Sequence, residues 1–179
     1  MTRAAPAGAT RTADPVRTRS SIKIGLGQMA ASADPDDVLS ALGLGSCIGL
    51  VMVDPAARVA GMVHVMLPES EGVAQPTPEG KYADLAVPAL LAAVRRLGAD
   101  PGRLVCKMAG GAQMFARGSG AGILNIGARN AIAVRAAVQS AGLTLRVAQT
   151  GGSVGRTMEV YVGTGLTTVR TVGGTTQEI

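Results

Sequence analysis

Short apolar runs separated by glycine and proline make up most of this chain after residue 21. Ile22, Ile24 and Leu26 alternate with Lys23 and Gly25, and this two-residue period is typical of a β-strand. Later apolar runs also have the length and composition of strands. They span residues 38–44, 47–53, 59–67, 104–108, 143–148, 158–162 and 166–172.

The predicted strands 47–53 and 59–67 flank the turn-forming pair Asp54-Pro55. Two strands joined by so short a connection are expected to form a hairpin. Cys47 would then begin one strand, and His64 would lie well along its neighbour. The register of the hairpin therefore decides whether these two side chains meet.

Two segments have the apolar spacing of helices, residues 81–97 and 129–140. Pro88 falls inside the first segment, which predicts either a kink or a later start. Gly98 and Gly142 follow the two segments, where glycine commonly ends a helix. A strand-rich order with two intervening helices predicts a single domain, an α/β (α+β) sandwich with mixed β-sheet layers flanked by helices.

The two ends of the chain differ from its apolar body. Residues 1–21 contain four arginines, one aspartate and few large apolar side chains, a composition that predicts a disordered extension. The same Arg-rich, acid-poor character is a weak feature of organelle transit peptides. We expect the folded domain over residues 22–174 and a short tail at residues 175–179.

Composition and charge exclude several functional classes. The net charge is +5, but the basic residues are not interleaved with aromatic ones, which argues against a nucleic-acid partner. The N-terminal arginines precede no apolar signal core, and no apolar run has the roughly 18 residues that a membrane span needs. The chain is therefore expected to be cytoplasmic, with free thiols. Two cysteines and one histidine do not make a four-ligand zinc site, and no cofactor or metal is expected.

The strongest chemical signal is Cys47, which follows a glycine-rich turn that includes Gly45 and Ser46. A thiol becomes a good nucleophile when a base removes its proton, and His64 is the only histidine in the chain. Backbone N–H groups around Ser46 and Cys47 could hold a developing oxyanion. These groups suit acyl transfer through a thioester. The alternative is that both are structural residues, because free cysteine is often buried. Cys106, in the predicted strand 104–108, is expected to be such a buried thiol.

Six segments of the chain, in the same order, resemble the chemoreceptor glutamine deamidase family, CheD. Together they extend from about residue 22 to residue 172, and the six in order are far more specific than any one alone. They are Leu42-Gly43-Leu44-Gly45-Ser46-Cys47, Val63-His64-Val65-Met66-Leu67-Pro68, Lys81-Tyr82-Ala83-Asp84, Lys107-Met108-Ala109-Gly110-Gly111-Ala112, Ile126-Gly127-Ala128-Arg129-Asn130 and Gly151-Gly152-Ser153-Val154-Gly155-Arg156.

The resemblance implies a sandwich related to bacterial toxin deamidases. It also implies hydrolysis of glutamine side chains on the cytoplasmic helices of chemoreceptors, with Cys47 as nucleophile and His64 as general base. A CheC-type phosphatase is an implied partner. The residues expected to bind substrate are Gly45, Ser46, Gly110, Gly111, Arg129 and Asn130. The glycine pair also fits a tight turn, and Arg129 and Asn130 also fit the cap of a helix.

One departure from the family pattern concerns the third catalytic residue. The family usually has a threonine six residues before the cysteine, and Ala41 stands there in this chain. Ser40 is adjacent, but neighbouring strand residues face opposite sides of a sheet. Ala41 leaves open a binding module whose chemistry is weak or lost. A general thiol amidase or protease is a separate alternative.

Overall fold

Two five-stranded β-sheets stack face to face in the computed structural model, which describes residues 19–71, 78–113 and 126–179. Two helices cover the outer face of one sheet. Sheet A has the order β1 (Ser20–Lys23), β3 (Asp37–Leu44), β8 (Arg156–Tyr161), β9 (Thr167–Thr171) and β10 (Thr176–Glu178). Sheet B has the order β2 (Met29–Ser32), β5 (Val59–Val65), β4 (Ile48–Asp54), β6 (Val105–Gly110) and β7 (Leu145–Thr150). The helices are α1 (Ala83–Arg96) and α2 (Ile126–Ser140), and a short 3₁₀ turn spans Pro101–Arg103.

The predicted sandwich with mixed sheets is confirmed, because each sheet contains both parallel and antiparallel pairs. β4 and β5 lie between neighbouring strands and are buried along their whole length. One face of these strands packs against sheet A, and the other packs against the helices. A strand buried on both faces reads as a continuous apolar run, which is why 47–53 and 59–67 were recognisable from sequence.

Helix α1 forms as predicted and begins at Ala83, so the later start that Pro88 suggested is wrong. Pro88 is exposed within the helix and cannot donate a backbone hydrogen bond to the preceding turn. The opposite face buries Ala86, Val87, Leu90 and Val94 against sheet B. This apolar contact holds the helix together across the proline.

The first predicted strand is displaced in the structure. β1 begins at Ser20, inside the segment expected to be a disordered extension, and ends at Lys23. Leu26 lies in a turn and is 59% exposed, so its apolar character does not reflect burial. Residues 1–18 of the expected extension lie outside the described residues.

Two strands have no clear signal in the sequence. β2 consists of Met-Ala-Ala-Ser and pairs with β5, but its small side chains give no alternating pattern. The expected short tail at 175–179 contains β10, which pairs antiparallel with β9. Thr176–Glu178 is polar and exposed because β10 lies at the edge of sheet A. The expected tail thus contains an edge strand of sheet A.

The turn of the β4–β5 hairpin is held by a buried carboxylate, Asp54. Its oxygens accept hydrogen bonds from the backbone N–H groups of Ala56, Ala57 and Asp100. Arg103 adds two further bonds, with distances of 3.1 and 2.8 Å. Chiefly because of Arg103, the pKa of Asp54 falls to about 2.

Candidate active site

The register of β4 and β5 places Cys47 and His64 on one face of sheet B. Gly49 lies directly opposite His64, and Cys47 is two residues before Gly49. Side chains two apart in an extended chain share a face, so Cys47 is the diagonal neighbour of His64. Cys47 packs against the layer between the sheets, which also contains Met62 on the His64 strand. The hairpin prediction is confirmed, and it brings the two predicted catalytic residues to one layer.

Gly49 leaves room beside this pair for two apolar side chains. A Cβ atom at position 49 would lie 2.9 Å from Leu44 Cδ1 and 3.2 Å from Met158 Sδ. These apolar side chains therefore occupy the room that a larger residue opposite His64 would need. The surroundings of the imidazole are consequently apolar.

His64 is 2% exposed, and its two ring nitrogens have different surroundings. Nδ1 lies 3.4 Å from the carbonyl oxygen of Ile24, and Nε2 has no hydrogen-bond partner among the described residues. A carbonyl oxygen can only accept, so this contact favours the tautomer with hydrogen on Nδ1. Nε2 then carries a free lone pair, which is what a general base requires.

The segment from Ile24 to Gln28 is fixed against the backbone of His64. Gln28 N–H donates to Gly25 C=O, and the Gln28 side-chain oxygen accepts from Gly25 N–H. Gly27 N–H donates to His64 C=O, and His64 N–H donates to Gln28 C=O, both at 3.0 Å. The Ile24 carbonyl therefore belongs to a turn that is bonded to the residue whose ring it orients.

Burial keeps both members of the pair uncharged near neutral pH. It raises the pKa of the Cys47 thiol and lowers the pKa of the His64 imidazole, although the Ile24 carbonyl partly opposes the second shift. Because Nε2 has no partner, the thiol and the ring are not joined by a hydrogen bond. Such contacts are often long in free enzymes and shorten when substrate binds. The resting site is thus a neutral thiol beside a neutral base.

Gly110 and Gly111 are buried and pack against the backbone of Cys47. Gly110 has φ of +120°, and a Cβ atom there would collide with the Cys47 carbonyl oxygen. Gly111 N–H donates to the same oxygen at 2.8 Å. Both glycines therefore fix the backbone at Cys47, and direct contact with substrate stays a prediction.

The turn before Cys47 contains two N–H groups that have no backbone acceptor in the part of the chain that the structure describes. Ala112 N–H donates to Gly45 C=O, and Gly45 N–H bonds to Gly43 C=O. Within the described residues, neither the Ser46 N–H nor the Cys47 N–H donates a backbone hydrogen bond. These are the two groups that the sequence suggested for an oxyanion.

The two predicted residues of α2 have different locations. Asn130 is completely buried, and its side chain reaches the turn before Cys47. Arg129 is exposed and lines a cavity of about 480 Å³ together with Glu69, Glu71 and the Leu67-Pro68 pair that follows β5. Neither Cys47 nor His64 lines that cavity. Asn130 thus contacts the backbone beside Cys47, and the substrate-binding role of Arg129 stays a prediction.

Ala41, at the position of the family threonine, faces the layer between the sheets. Ser40 faces the other side of sheet A and donates to Glu159 at 3.2 Å, so it does not replace the missing hydroxyl. Ile24 N–H donates to Ser40 C=O, which places Ile24 beside Ala41 on the neighbouring strand. The Ile24 carbonyl is therefore next to the position where a threonine would stand. Side-chain chemistry gives no signal for such a backbone group.

The second cysteine, Cys106, is buried, as predicted, and burial raises its pKa to about 11. Both cysteines are free thiols. Among the described residues, no helix is long and apolar enough to cross a membrane.

Comparison with known proteins identifies the family. A family model described as CheD chemotactic sensory transduction matches residues 66–171, beginning two residues after His64. The Symbiobacterium thermophilum protein named probable chemoreceptor glutamine deamidase CheD is 45% identical over 84% of this chain and 92% of its own length. The chemoreceptor glutamine deamidase CheD of Thermotoga maritima is 44% identical over the same shares.

A third relative extends the match to the candidate site. The Caldanaerobacter subterraneus protein named probable chemoreceptor glutamine deamidase CheD is 40% identical over 152 residues, 85% of this chain and 93% of its own length. The alignment leaves only 27 residues of this chain uncovered. More residues than that precede Cys47, and more follow His64, so the aligned segment includes both residues. The chain belongs to the CheD family.

Proposed function

We propose that this protein hydrolyses the side-chain amide of glutamine residues on chemoreceptors, giving glutamate and ammonia. The observation that carries the proposal is the pairing of Cys47 with His64 on one buried face, in a chain whose relatives are named chemoreceptor glutamine deamidases. Receptor cytoplasmic helices are the proposed substrate, and the cytoplasm is the proposed location.

The first step is proton transfer coupled to attack. His64 Nε2 takes the proton from Cys47 Sγ, and the sulfur bonds to the carbonyl carbon of the glutamine side chain. The C=O electron pair moves to oxygen, and the Ser46 and Cys47 N–H groups are the proposed donors to this oxyanion. Because burial disfavours a separated thiolate, the proton moves as substrate binds rather than beforehand.

The second step releases ammonia and then regenerates the thiol. Protonated His64 gives its proton to the amide nitrogen, the C–N bond breaks, and a thioester remains on Cys47. Neutral His64 next removes a proton from water, which attacks the thioester carbon. The C–S bond breaks, and the proton returns to sulfur. The product is glutamate, and no group beyond water is consumed.

The Ile24 carbonyl takes the orienting role in this mechanism. It accepts the Nδ1 hydrogen of His64 and so leaves Nε2 as the base. When His64 becomes protonated in the first step, the same oxygen stabilises the positive charge. The absence of a hydroxyl at Ala41 is therefore compatible with catalysis.

The test is deamidation of a purified chemoreceptor cytoplasmic fragment, read by mass spectrometry of its glutamine peptides. Wild-type protein and Cys106→Ala, the matched cysteine control, should convert the same glutamines. Cys47→Ala and His64→Ala should not. Conversion by Cys47→Ala at the wild-type rate would refute the mechanism, and cleavage of peptide bonds would favour a protease instead.

A second candidate function is a docking module for a CheC-type phosphatase, and Ala41 is the observation that favours it. This reading predicts complex formation without deamidation by the wild-type chain. Cys47→Ala should bind the phosphatase equally well under either function. Only the wild-type deamidation rate therefore separates the two.

A further inference from the structure

The Asn130 side chain ties together the two elements that carry Cys47 and His64. Its Nδ2 donates to the Ser46 carbonyl oxygen at 2.9 Å and to the Met66 carbonyl oxygen at 2.8 Å. Ser46 directly precedes the nucleophile, and Met66 lies two residues after His64. Both hydrogens of the amide nitrogen are thus used, one on each catalytic segment.

The orientation of this amide follows from its partners. Two carbonyl oxygens can only accept, so the nitrogen rather than the oxygen of Asn130 must face them. The Asn130 side chain is completely buried, and its Oδ1 has no partner among the described residues. Burying an amide with an unsatisfied oxygen costs stability. The two hydrogen bonds of the nitrogen offset part of this cost and fix the orientation of the side chain.

The bond to Ser46 also determines where the Cys47 N–H points. Ser46 C=O and Cys47 N–H belong to one peptide unit, and in a trans peptide they point in opposite directions. Asn130 lies on α2, which packs on β4 from the face of sheet B opposite to sheet A. Holding the carbonyl towards α2 therefore turns the Cys47 N–H towards the face with the thiol and the imidazole. That N–H donates no backbone hydrogen bond within the described residues.

We infer that Asn130 is a positioning residue that fixes the Ser46–Cys47 peptide so that the Cys47 N–H serves as oxyanion donor. Its second bond holds the end of the His64 strand at a fixed separation from that peptide. Asn130 does not contact substrate in this role, in contrast to the sequence-based expectation. The inference rests on the proposed function, because it assigns a donor for the same acyl transfer.

The test compares three reactions of the same thiol, one that forms no oxyanion and two that do. Alkylation by iodoacetamide needs a reactive Cys47 but forms no oxyanion. Deamidation, and reversible capture of a peptide aldehyde that replaces the glutamine carboxamide, both place developing charge on oxygen. In the aldehyde reaction the sulfur bonds to the carbonyl carbon and the thiol proton passes to the oxygen. Deamidation and aldehyde capture should therefore depend on the hydrogen bond from Asn130 to Ser46, and alkylation should not.

Asn130→Ala should lower kcat for deamidation about 10- to 100-fold with little change in KM, because loss of one oxyanion donor costs about 10²–10³ in kcat and here the donor is misdirected rather than removed. Aldehyde affinity should fall in parallel, and the alkylation rate should change less than about threefold. Gln139→Ala removes an exposed amide from the same helix and should match wild type in all three. Asn130→Ser retains one donor and should be intermediate.

Equal losses in alkylation and deamidation would overturn the inference, because they would mean that Asn130 only maintains the fold. Unchanged aldehyde affinity would overturn it as well. Cys106 serves as the folding check, since it is buried and should resist alkylation until the protein unfolds. If wild type captures the aldehyde but deamidates no receptor, the proposed substrate fails while the aldehyde comparison still decides the role of Asn130.

Discussion

The state of the resting thiol gives a sharp prediction. An ordinary cysteine is about 3% thiolate at pH 7, and burial raises the pKa of Cys47 further, so its thiolate share is below about 3%. His64 is neutral at that pH because burial lowers its pKa. In a preformed thiolate–imidazolium pair most of the cysteine would instead be thiolate, so the thiolate share would be about 30-fold higher. The structure therefore predicts slow alkylation at neutral pH.

The assay is the rate of Cys47 alkylation by iodoacetamide from pH 5 to pH 10, measured without substrate. The rate should rise about tenfold per pH unit across neutral pH and level off only in the alkaline range. His64→Ala should leave this profile in place, because the neutral ring does not charge the thiol. A plateau between pH 6 and pH 8 that disappears in His64→Ala would refute the reasoning.

The remaining predictions concern orientation, backbone geometry and acid stability. Ala41→Thr should leave kcat near the wild-type value, because the Ile24 carbonyl already orients His64 Nδ1. The control is Ala41→Val, which has the same shape as threonine without the hydroxyl. If kcat of Ala41→Thr exceeded that of Ala41→Val tenfold or more (about 1.4 kcal/mol), this role of Ile24 would be contradicted. Gly110→Ala should lower the free energy of unfolding by more than Gly173→Ala and should abolish deamidation. Both glycines have positive φ, each worth about 1–3 kcal/mol of strain for another residue, but only Gly110 faces the Cys47 carbonyl. If denaturant titration gave equal losses of unfolding free energy for Gly110→Ala and Gly173→Ala, a collision with the Cys47 carbonyl would be contradicted. Asp54→Asn should cost about 1–2 kcal/mol at pH 7, a value reduced because Arg103 is 47% exposed. Because the pKa of Asp54 is lower in the folded state, the ionised side chain stabilises the fold at pH values above 3.8, its unfolded pKa. This stabilisation is lost as pH falls towards about 2. The difference in free energy of unfolding between wild type and Asp54→Asn should therefore narrow over this pH range. A difference that is constant with pH would exclude an ionic cause. Asp100→Asn, which changes an exposed partner of Arg103, is the control.

The fold was most predictable where burial controls the sequence. β4 and β5 are buried on both faces, so their apolar runs and the intervening Asp54-Pro55 turn indicated the hairpin directly. β10 gives no signal in the sequence because a polar, exposed edge strand has no buried apolar side chains. Leu26 fits the alternating pattern of a strand, but it lies in an exposed turn. The sequence alone does not distinguish such an exposed apolar residue from a buried one.

The side chains of the candidate site can be proposed from the sequence, but its backbone contacts cannot. Cys47 and His64 stood out because a glycine-rich turn and a lone histidine are visible in any sequence. The Ile24 carbonyl belongs to no residue type, and its role depends on a turn that only coordinates reveal. Asn130 was recognised as a candidate, but its partners are main-chain oxygens 84 and 64 residues away in the chain. Their convergence depends on the packing of α2 against sheet B.

The central claim is covalent catalysis by Cys47, and interception of its thioester tests that claim most directly. Hydroxylamine added during the reaction competes with water for a thioester, so the glutamines that are deamidated should also yield the hydroxamate in proportion to its concentration. Cys106→Ala should behave in the same way, and Cys47→Ala should yield neither product. Deamidation that proceeds at full rate without any hydroxamate, or hydroxamate formed by Cys47→Ala, would contradict the account.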